Sequence, residues 1–299
     1  LLKTFKRTVI RQCFTFVTLT VLFSFIFLLH GFAQPGSPGV VTSKDLVVSF
    51  LDVGQADCIL IHTPAGQNIL IDAGNRGDYP LIRSFLESQK IARLDIVIGT
   101  HPHEDHIGGM EQIVRSFDIG RIYMPKVATN TKVFKDLLMA IKAKGLKIIP
   151  AKAGVNIETT PELVWQFLAP ISDSYENLND YSAVVRLTYH KVSFLFTGDA
   201  ERIAEQEMIG RQSNLRANVL KVGHHGSSSS SHAAFVRQVA PEVAVISVGI
   251  NNPYHHPSLA TMKRLERMGV QIYRTDLHGT IQVITDGNIY KVRYGMPKR

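Results

Sequence analysis

Cysteine is almost absent from this chain. Only Cys13 and Cys58 occur in 299 residues. Cys13 opens an apolar leader, so beyond the leader a single thiol remains and no internal disulfide can form. Cys58 is followed by "ILI" and reads as a small core residue. Long apolar runs are scarce too. The one uncharged stretch, "CFTFVTLTVLFSFIFLL", is too little for a channel, so the chain is not expected to transport anything by itself. No glycine loop of the nucleotide-binding type and no short internal repeat appear.

What the chain does have begins with charge. Lys3, Lys6, Arg7 and Arg11 precede the apolar stretch, and Gly31 and Ala33 follow it. A basic start, an apolar segment and small residues form an export signal or, uncleaved, a membrane anchor. Residues 1–33 are therefore expected to be a signal peptide or N-terminal anchor. The rest is then extracytoplasmic, either secreted or held on the outer face of the cytoplasmic membrane. The net charge is +8; without those four basic residues, 29 Lys and Arg stand against 25 Asp and Glu, a net +4. That surplus is compatible with a polyanionic partner without requiring one. Lys221, Arg237 and Lys263 are candidate phosphate contacts, each of which also reads as plain solvated charge.

A Pro/Gly/Ser-containing linker at 34–45 leads into a domain expected at 46–294. Short apolar runs bounded by turn residues predict strands: "LVVSFLDV", "CILIHT", "NILIDAG" and "LDIVIGTH", then "LVWQFLA", "SAVVRLTY", "VSFLFTGD", "NVLKVGHH", "VAVISVG" and "TIQVITDGNIYKV". Helical spacing is visible at Leu81, Ile82, Phe85 and Leu86 and in "VFKDLLMAIKAKG", which ends on a glycine cap. It recurs in "AERIAEQEMIG", "HAAFVRQVA" and "SLATMKRLERMG". Two groups of strands with helices outside each predict an α+β, four-layer αββα sandwich.

The densest chemistry is "THPHEDHIGG", residues 100–109. His101, His103, Asp105 and His106 leave the end of a strand on a tight turn, with "IGGMEQIV" starting a helix after them. Imidazole with carboxylate suits zinc, manganese or iron. Four ligands so close suit two ions, His101 and His103 on one, Asp105 and His106 on the other.

With that motif the chain resembles the metallo-β-lactamase fold superfamily. From about 46 to 294, "FLDVGQADCILI", "NILIDAG", "YSAVVRL", "FTGDA", "VLKVGHHGS", "VISVGINNPYHHPS" and "RTDLHGTI" are similar to the C-terminal hydrolase domain of the ComEC family of DNA-uptake proteins. The "GHHGS" site also looks like that of surface phosphorylcholine esterases. The resemblance implies that Asp199 bridges two divalent ions, zinc or manganese. It implies that His225 completes the second ion's ligands, with His224 competing for that place, and that Asp72 orients a ligand histidine. Members commonly carry a further histidine upstream of the bridging aspartate. This chain has "LNDYSA" there, so the first ion is expected to bind more weakly, with water, Asp180 or Asn179 in the gap. Ala56 stands where the branch usually has glycine.

Two ions of this kind would lower the pKa of a bound water from about 15.7 to near 7 and so supply a hydroxide nucleophile at neutral pH. Asp105, His224 and His256 are the candidate catalytic residues, with His256 a proton donor or substrate contact at the mouth. His62, His190, His232 and His278 read as surface or packing residues. The ComEC and esterase resemblance implies a phosphodiester substrate, with DNA the leading choice. A lactonase or β-lactamase-type hydrolase remains open, as does a non-catalytic DNA- or partner-binding accessory of an uptake machine.

Overall fold

The computed structural model describes residues 44–157 and 162–295. The expected leader at 1–33 and most of the expected linker at 34–45 lie outside the described residues. Among the described residues no helix is long and apolar enough to cross a membrane.

Fourteen strands form among the described residues: β1 (Leu46–Phe50), β2 (Ile59–His62), β3 (Asn68–Ile71), β4 (Arg93–Ile98), β5 (Asp118–Met124), β6 (Ile148–Pro150), β7 (Leu163–Ala169), β8 (Val184–Tyr189), β9 (Val192–Phe196), β10 (Val219–Lys221), β11 (Val243–Ile246), β12 (Gln271–Arg274), β13 (Ile281–Thr285) and β14 (Tyr290–Tyr294). They build an eight-stranded sheet in the order β14-β13-β1-β2-β3-β4-β5-β6 and a six-stranded sheet in the order β12-β11-β10-β9-β8-β7.

Side-chain alternation along each strand sorts the core into three layers. Ile59, Ile61, Ile69 and Ile71 of the first sheet pack with Phe194, Phe196, Val243 and Val245 of the second, filling the space between sheets. The intervening residues face outward on each side. Leu60 and Leu70 pack under α1 (Tyr79–Ser88), α2 (Glu104–Ile107), α3 (Met110–Ser116) and α4 (Lys132–Ala143) through Ile82, Leu86, Ile107, Ile113 and Leu137. Leu195, Leu220, Ala244 and Ile246 pack under α5 (Arg202–Gly210), α6 (Ala233–Val239) and α7 (Leu259–Arg267) through Met208, Phe235, Val236 and Leu265. The result is the four-layer αββα sandwich.

The structure differs from the pattern reading at several elements. "TIQVITDGNIYKV" is two antiparallel strands, because Asp286 Oδ1 accepts from the amides of Asn288 and Ile289 at 2.8 and 3.0 Å, an Asx-type turn. β5 is interrupted in sequence by Gly120, where a Cβ would lie 2.5 Å from the Asp95 carbonyl oxygen. The helix after β4 starts at Glu104, breaks at Gly108–Gly109, and resumes at Met110. Several strands stop short of their apolar runs: β9 ends at Phe196 and β10 at Lys221, which leaves "TGD" and "VGHH" as loops. β3–β4 and β9–β10–β11 are parallel neighbours, so the loops after them leave from carboxyl ends, where α/β sheets present functional groups.

Phe194 is fully buried and lies nearly parallel to Phe196, with ring centroids 6.1 Å apart. Phe194→Ala is expected to cost about 3–5 kcal/mol. It should be read as a lowered urea midpoint at unchanged slope; a change below about 1 kcal/mol would contradict this packing.

Candidate metal centre

Five loops meet over the carboxyl ends of β3, β4, β9, β10 and β11. The loop after β3 turns at Asp72, which takes the left-handed conformation (φ 58°) that Asp tolerates better than most residues. Its buried carboxylate accepts from the Thr100 amide at 2.8 Å and the Thr100 hydroxyl at 2.7 Å, and contacts His106 Nδ1 at 2.7 Å. Three contacts hold the first loop to the second.

The glycine pair at the end of "THPHEDHIGG" has a packing reason. The Ala73 amide donates to the His106 carbonyl at 2.7 Å, and the Asp57 amide to the Asp105 carbonyl at 3.0 Å. A Cβ on Gly109 would lie 2.4 Å from the Ala73 carbonyl oxygen, and one on Gly108 2.4 Å from the Arg76 amide nitrogen. Only glycine lets α2 sit this close and aim Asp105 and His106 inward.

After β10, His224 and His225 both adopt left-handed conformations, with φ of 49° and 52°. Such backbone costs about 1–3 kcal/mol per residue and persists where its surroundings enforce it. His225 Nδ1 bonds the Ser247 carbonyl at 2.9 Å, so that nitrogen carries the proton and Nε2 presents a lone pair. His224 Nδ1 lies 3.1 Å from Glu201 Oε1, which leaves its Nε2 as the lone-pair atom by the same logic.

Asp199 is the point of convergence. It is 1% exposed. His106 Nε2 lies 3.2 Å from its Oδ1, and Nε2 of His224, His225 and His101 lie 3.7, 3.8 and 3.9 Å from its Oδ2. Asp105 Oδ2 is 3.2 Å from His225 Nε2. Asp105, His106, Asp199 and His225 each place one ligand atom within 4.8 Å of the others. The same His101 Nε2 lies 2.9 Å from His103 Nδ1.

The donor set fits divalent ions. Asp199 Oδ1 and His106 Nε2 are buried without a hydrogen-bond partner, and the His106 proton is taken by Asp72. Lone pairs of His106, His225 and Asp105 thus face a carboxylate across one small volume. Only protons or a metal cation reconcile them. Burial alone would push His106 and His225 down, but Asp199 and neighbouring carboxylates hold His106 well above, and His225 above, the ordinary imidazole range. Burial and His106 push His101 well below it.

Asp180 Oδ1 accepts from the amides of Glu201 and Ala204 at 3.1 and 3.2 Å, so this oxygen caps the start of α5. Asn179 Nδ2 donates to Glu201 Oε1 at 3.0 Å and lies 3.5 Å from His224 Nδ1. His224 itself reaches Asp199 on that side. The His256 ring meets His224 edge-on, with centroids 5.6 Å apart. Burial and then His224 hold its imidazole down to about 4, so it is uncharged at neutral pH. It therefore suits a substrate contact better than an acid.

Asp57 was not read as a site residue, and Lys221 was read only as a candidate phosphate contact. Their side chains are fully or almost fully buried and paired at 2.7 Å. Asp57 Oδ1 approaches His225 Nδ1 to 3.5 Å. Lys221 therefore lies beneath the site and is unavailable to a phosphate, whereas Arg237 and Lys263 are exposed. Asp57, Asp72 and His106 also converge, but Lys221, Thr100 and the His106 proton already occupy that set. The only sequence signal was "GQAD" beside a strand, which carries no ligand pattern.

The family model described as Metallo-beta-lactamase superfamily matches residues 51–250. The chain is 32% identical over 257 residues to "ComE operon protein 3" of Bacillus subtilis, which covers 80% of this chain and 33% of that protein. It is 31% identical over 260 residues to "Competence protein ComA" of Neisseria gonorrhoeae, covering 86% of this chain and 35% of that one. The chain thus spans about a third of the length of the curated relatives it matches. Among solved structures it is similar to Igni18, a metallo hydrolase from Ignicoccus hospitalis, at TM-score 0.51 and 17% identity over 80% of this chain and 98% of that one. It is also similar to CmlA, a diiron β-hydroxylase from Streptomyces venezuelae, at TM-score 0.52 and 13% identity, covering 82% of this chain and 54% of that one. These two likenesses are of fold.

Asp199→Ala is expected to lose most bound zinc, because it removes the only carboxylate facing all four rings; elemental analysis at full parental content would contradict that role. Metal uptake is also expected to release protons. His106 and His225 hold protons above the ordinary range in the metal-free protein, so zinc must displace them at pH 7, and apparent affinity should rise with pH through and above about 6.5. Calorimetry in two buffers of different ionisation enthalpy reads the release, and identical heats would show both rings already neutral.

Proposed function

The chain belongs to the metallo-beta-lactamase superfamily, and from that premise we propose that it is an extracytoplasmic metal-dependent phosphodiesterase whose substrate is DNA. The observation that carries the choice is the similarity to proteins named for competence over about four-fifths of this chain. The fold hosts several hydrolytic chemistries and does not select among them. The basic start and apolar segment within residues 1–33 support export.

His101, His103, His224 and Asp199 would hold one ion, and Asp105, His106, His225 and Asp199 the other. When bound, such ions supply a nucleophilic water at neutral pH and charge stabilisation at phosphorus. The chain's own part is orientation. Asp72 fixes His106, the Ser247 carbonyl fixes His225, and Glu201 fixes His224, so each ring offers Nε2 to the centre. Half-buried His256 stands beside His224 and offers an uncharged ring to the substrate.

The test is hydrolysis by zinc- or manganese-loaded protein of DNA, bis-p-nitrophenyl phosphate, a lactone and a β-lactam. Cleavage of DNA and the small diester is expected, lowered at least a hundredfold in Asp199→Ala, on the scale of losing a preorganised charge-stabilising group. Cleavage of the lactone or β-lactam with neither phosphodiester would replace this reading. Cleavage of the small diester without DNA would move it toward surface-polymer esters.

A further inference from the structure

The segment after β11, "VGINNPYHHPS" at 248–258, carries an exposed aromatic ring that the metal centre does not use. Tyr254 is 66% exposed. Its ring lies over His256 with centroids 5.8 Å apart and planes 25° apart, and His256 meets His224 edge-on at 5.6 Å. The three rings run from solvent to a ligand of the site.

The backbone that carries the ring is fastened at several points. Asn252 Nδ2 donates to the Gly249 and His256 carbonyls at 3.0 and 2.6 Å, and Asn252 Oδ1 accepts from the His256 amide at 3.0 Å. The Gly249 amide donates to Gln55 Oε1 at 3.1 Å, and the Ser258 amide to the Gly226 carbonyl at 2.9 Å. Gly226 belongs to the "GHHG" turn, where a Cβ would sit 2.5 Å from Pro257 Cβ. The loop is thus fastened at both ends and in its middle, and one end rests on the turn that presents His224 and His225. An aromatic ring held open to water on so restrained a backbone loses little further freedom when something flat covers it.

We infer that Tyr254, backed by His256, is a stacking platform for an unpaired nucleobase, and that the site therefore takes single-stranded nucleic acid. This rests on the phosphodiesterase reading. A base in a duplex has both faces covered by its neighbours and cannot lie on a side chain, whereas every base of a single strand offers a face to an aromatic ring. The phosphate at the metal centre and the base on Tyr254 belong to one strand threaded past the mouth.

The experiment uses the metal-loaded full chain with a single-stranded oligothymidylate, the same strand annealed to oligoadenylate, and an abasic oligomer of equal length. Wild-type protein should bind and cleave the single strand with a KM about tenfold below that for the abasic oligomer, the scale of one base stacked on an aromatic ring. Tyr254→Ala should abolish the difference and Tyr254→Phe should keep it. A 2-aminopurine base in the strand should be quenched by wild-type and Tyr254→Phe but not by Tyr254→Ala. If Tyr254→Ala still cleaves DNA and still prefers the base-bearing strand, or if the duplex is cleaved as well as the single strand, the platform is overturned and the phosphodiesterase reading stands. If wild-type protein cleaves none of the three while hydrolysing a lactone, both fall together.

Discussion

Asp199 must remain ionised where burial disfavours charge, and the organisation of the site follows from that constraint. Burial raises the pKa of an isolated carboxylate, yet His106 and then His225 hold Asp199 well below the ordinary range. Four imidazoles around one carboxylate are stable only if each has a fixed proton on its far nitrogen or a cation at the centre. The structure therefore needs outer acceptors as much as inner ligands. Asp72, Glu201 and the Ser247 carbonyl supply them from three different loops. The sandwich brings those loops together because β3–β4 and β9–β11 end on one side of the interior that the two sheets share.

The outer acceptors create a second problem. Asp57 and Asp72 are both buried beneath the rings, and a pair of unbalanced buried carboxylates would destabilise the fold. Lys221 answers the first, with its ammonium on Asp57 Oδ2 and the Val222 carbonyl. Thr100 and His106 answer the second. A lysine three residues before "HH" looks from sequence like surface charge, but β10 ends at Lys221 between parallel neighbours, where every side chain is buried.

The four layers were legible because the strands are short, nearly continuous apolar runs, as strands covered on both faces must be, and the helices carry one apolar stripe. Part of the cluster around Asp199 was legible because "HPHEDH" compresses four candidate ligands into six positions, whereas Asp199 of "TGD" and the histidines of "GHHGS" were reached only through the family resemblance. Less legible was anything set by approach across the chain. Gly120 conceals β5, the Asp286–Gly287 turn conceals a hairpin, and Asp57 lies 164 residues before its partner Lys221. The contacts of Asp180 belong to the same class, because the two amides at the start of α5 that its Oδ1 accepts from lie more than twenty residues away in sequence.

The division between body and loop also bears on substrate choice. Every group that faces Asp199 is buried or half-buried and held by hydrogen bonds to the sandwich, so the centre itself gives little ground for choosing among substrates. Selectivity has to come from what stands outside that first circle of side chains. In this chain the segment 248–258 does so: it rises from β11, rests on the "GHHG" turn through Gly226 and Pro257, and is tied to Gln55 at the opposite loop. The segment's exposed positions, Tyr254 among them, can change without touching the hydrogen bonds that hold the rings of His106, His225 and His224. The buried centre and the loop over it meet at the "GHHG" turn, so what the loop presents to solvent is set apart from what the centre presents to an ion.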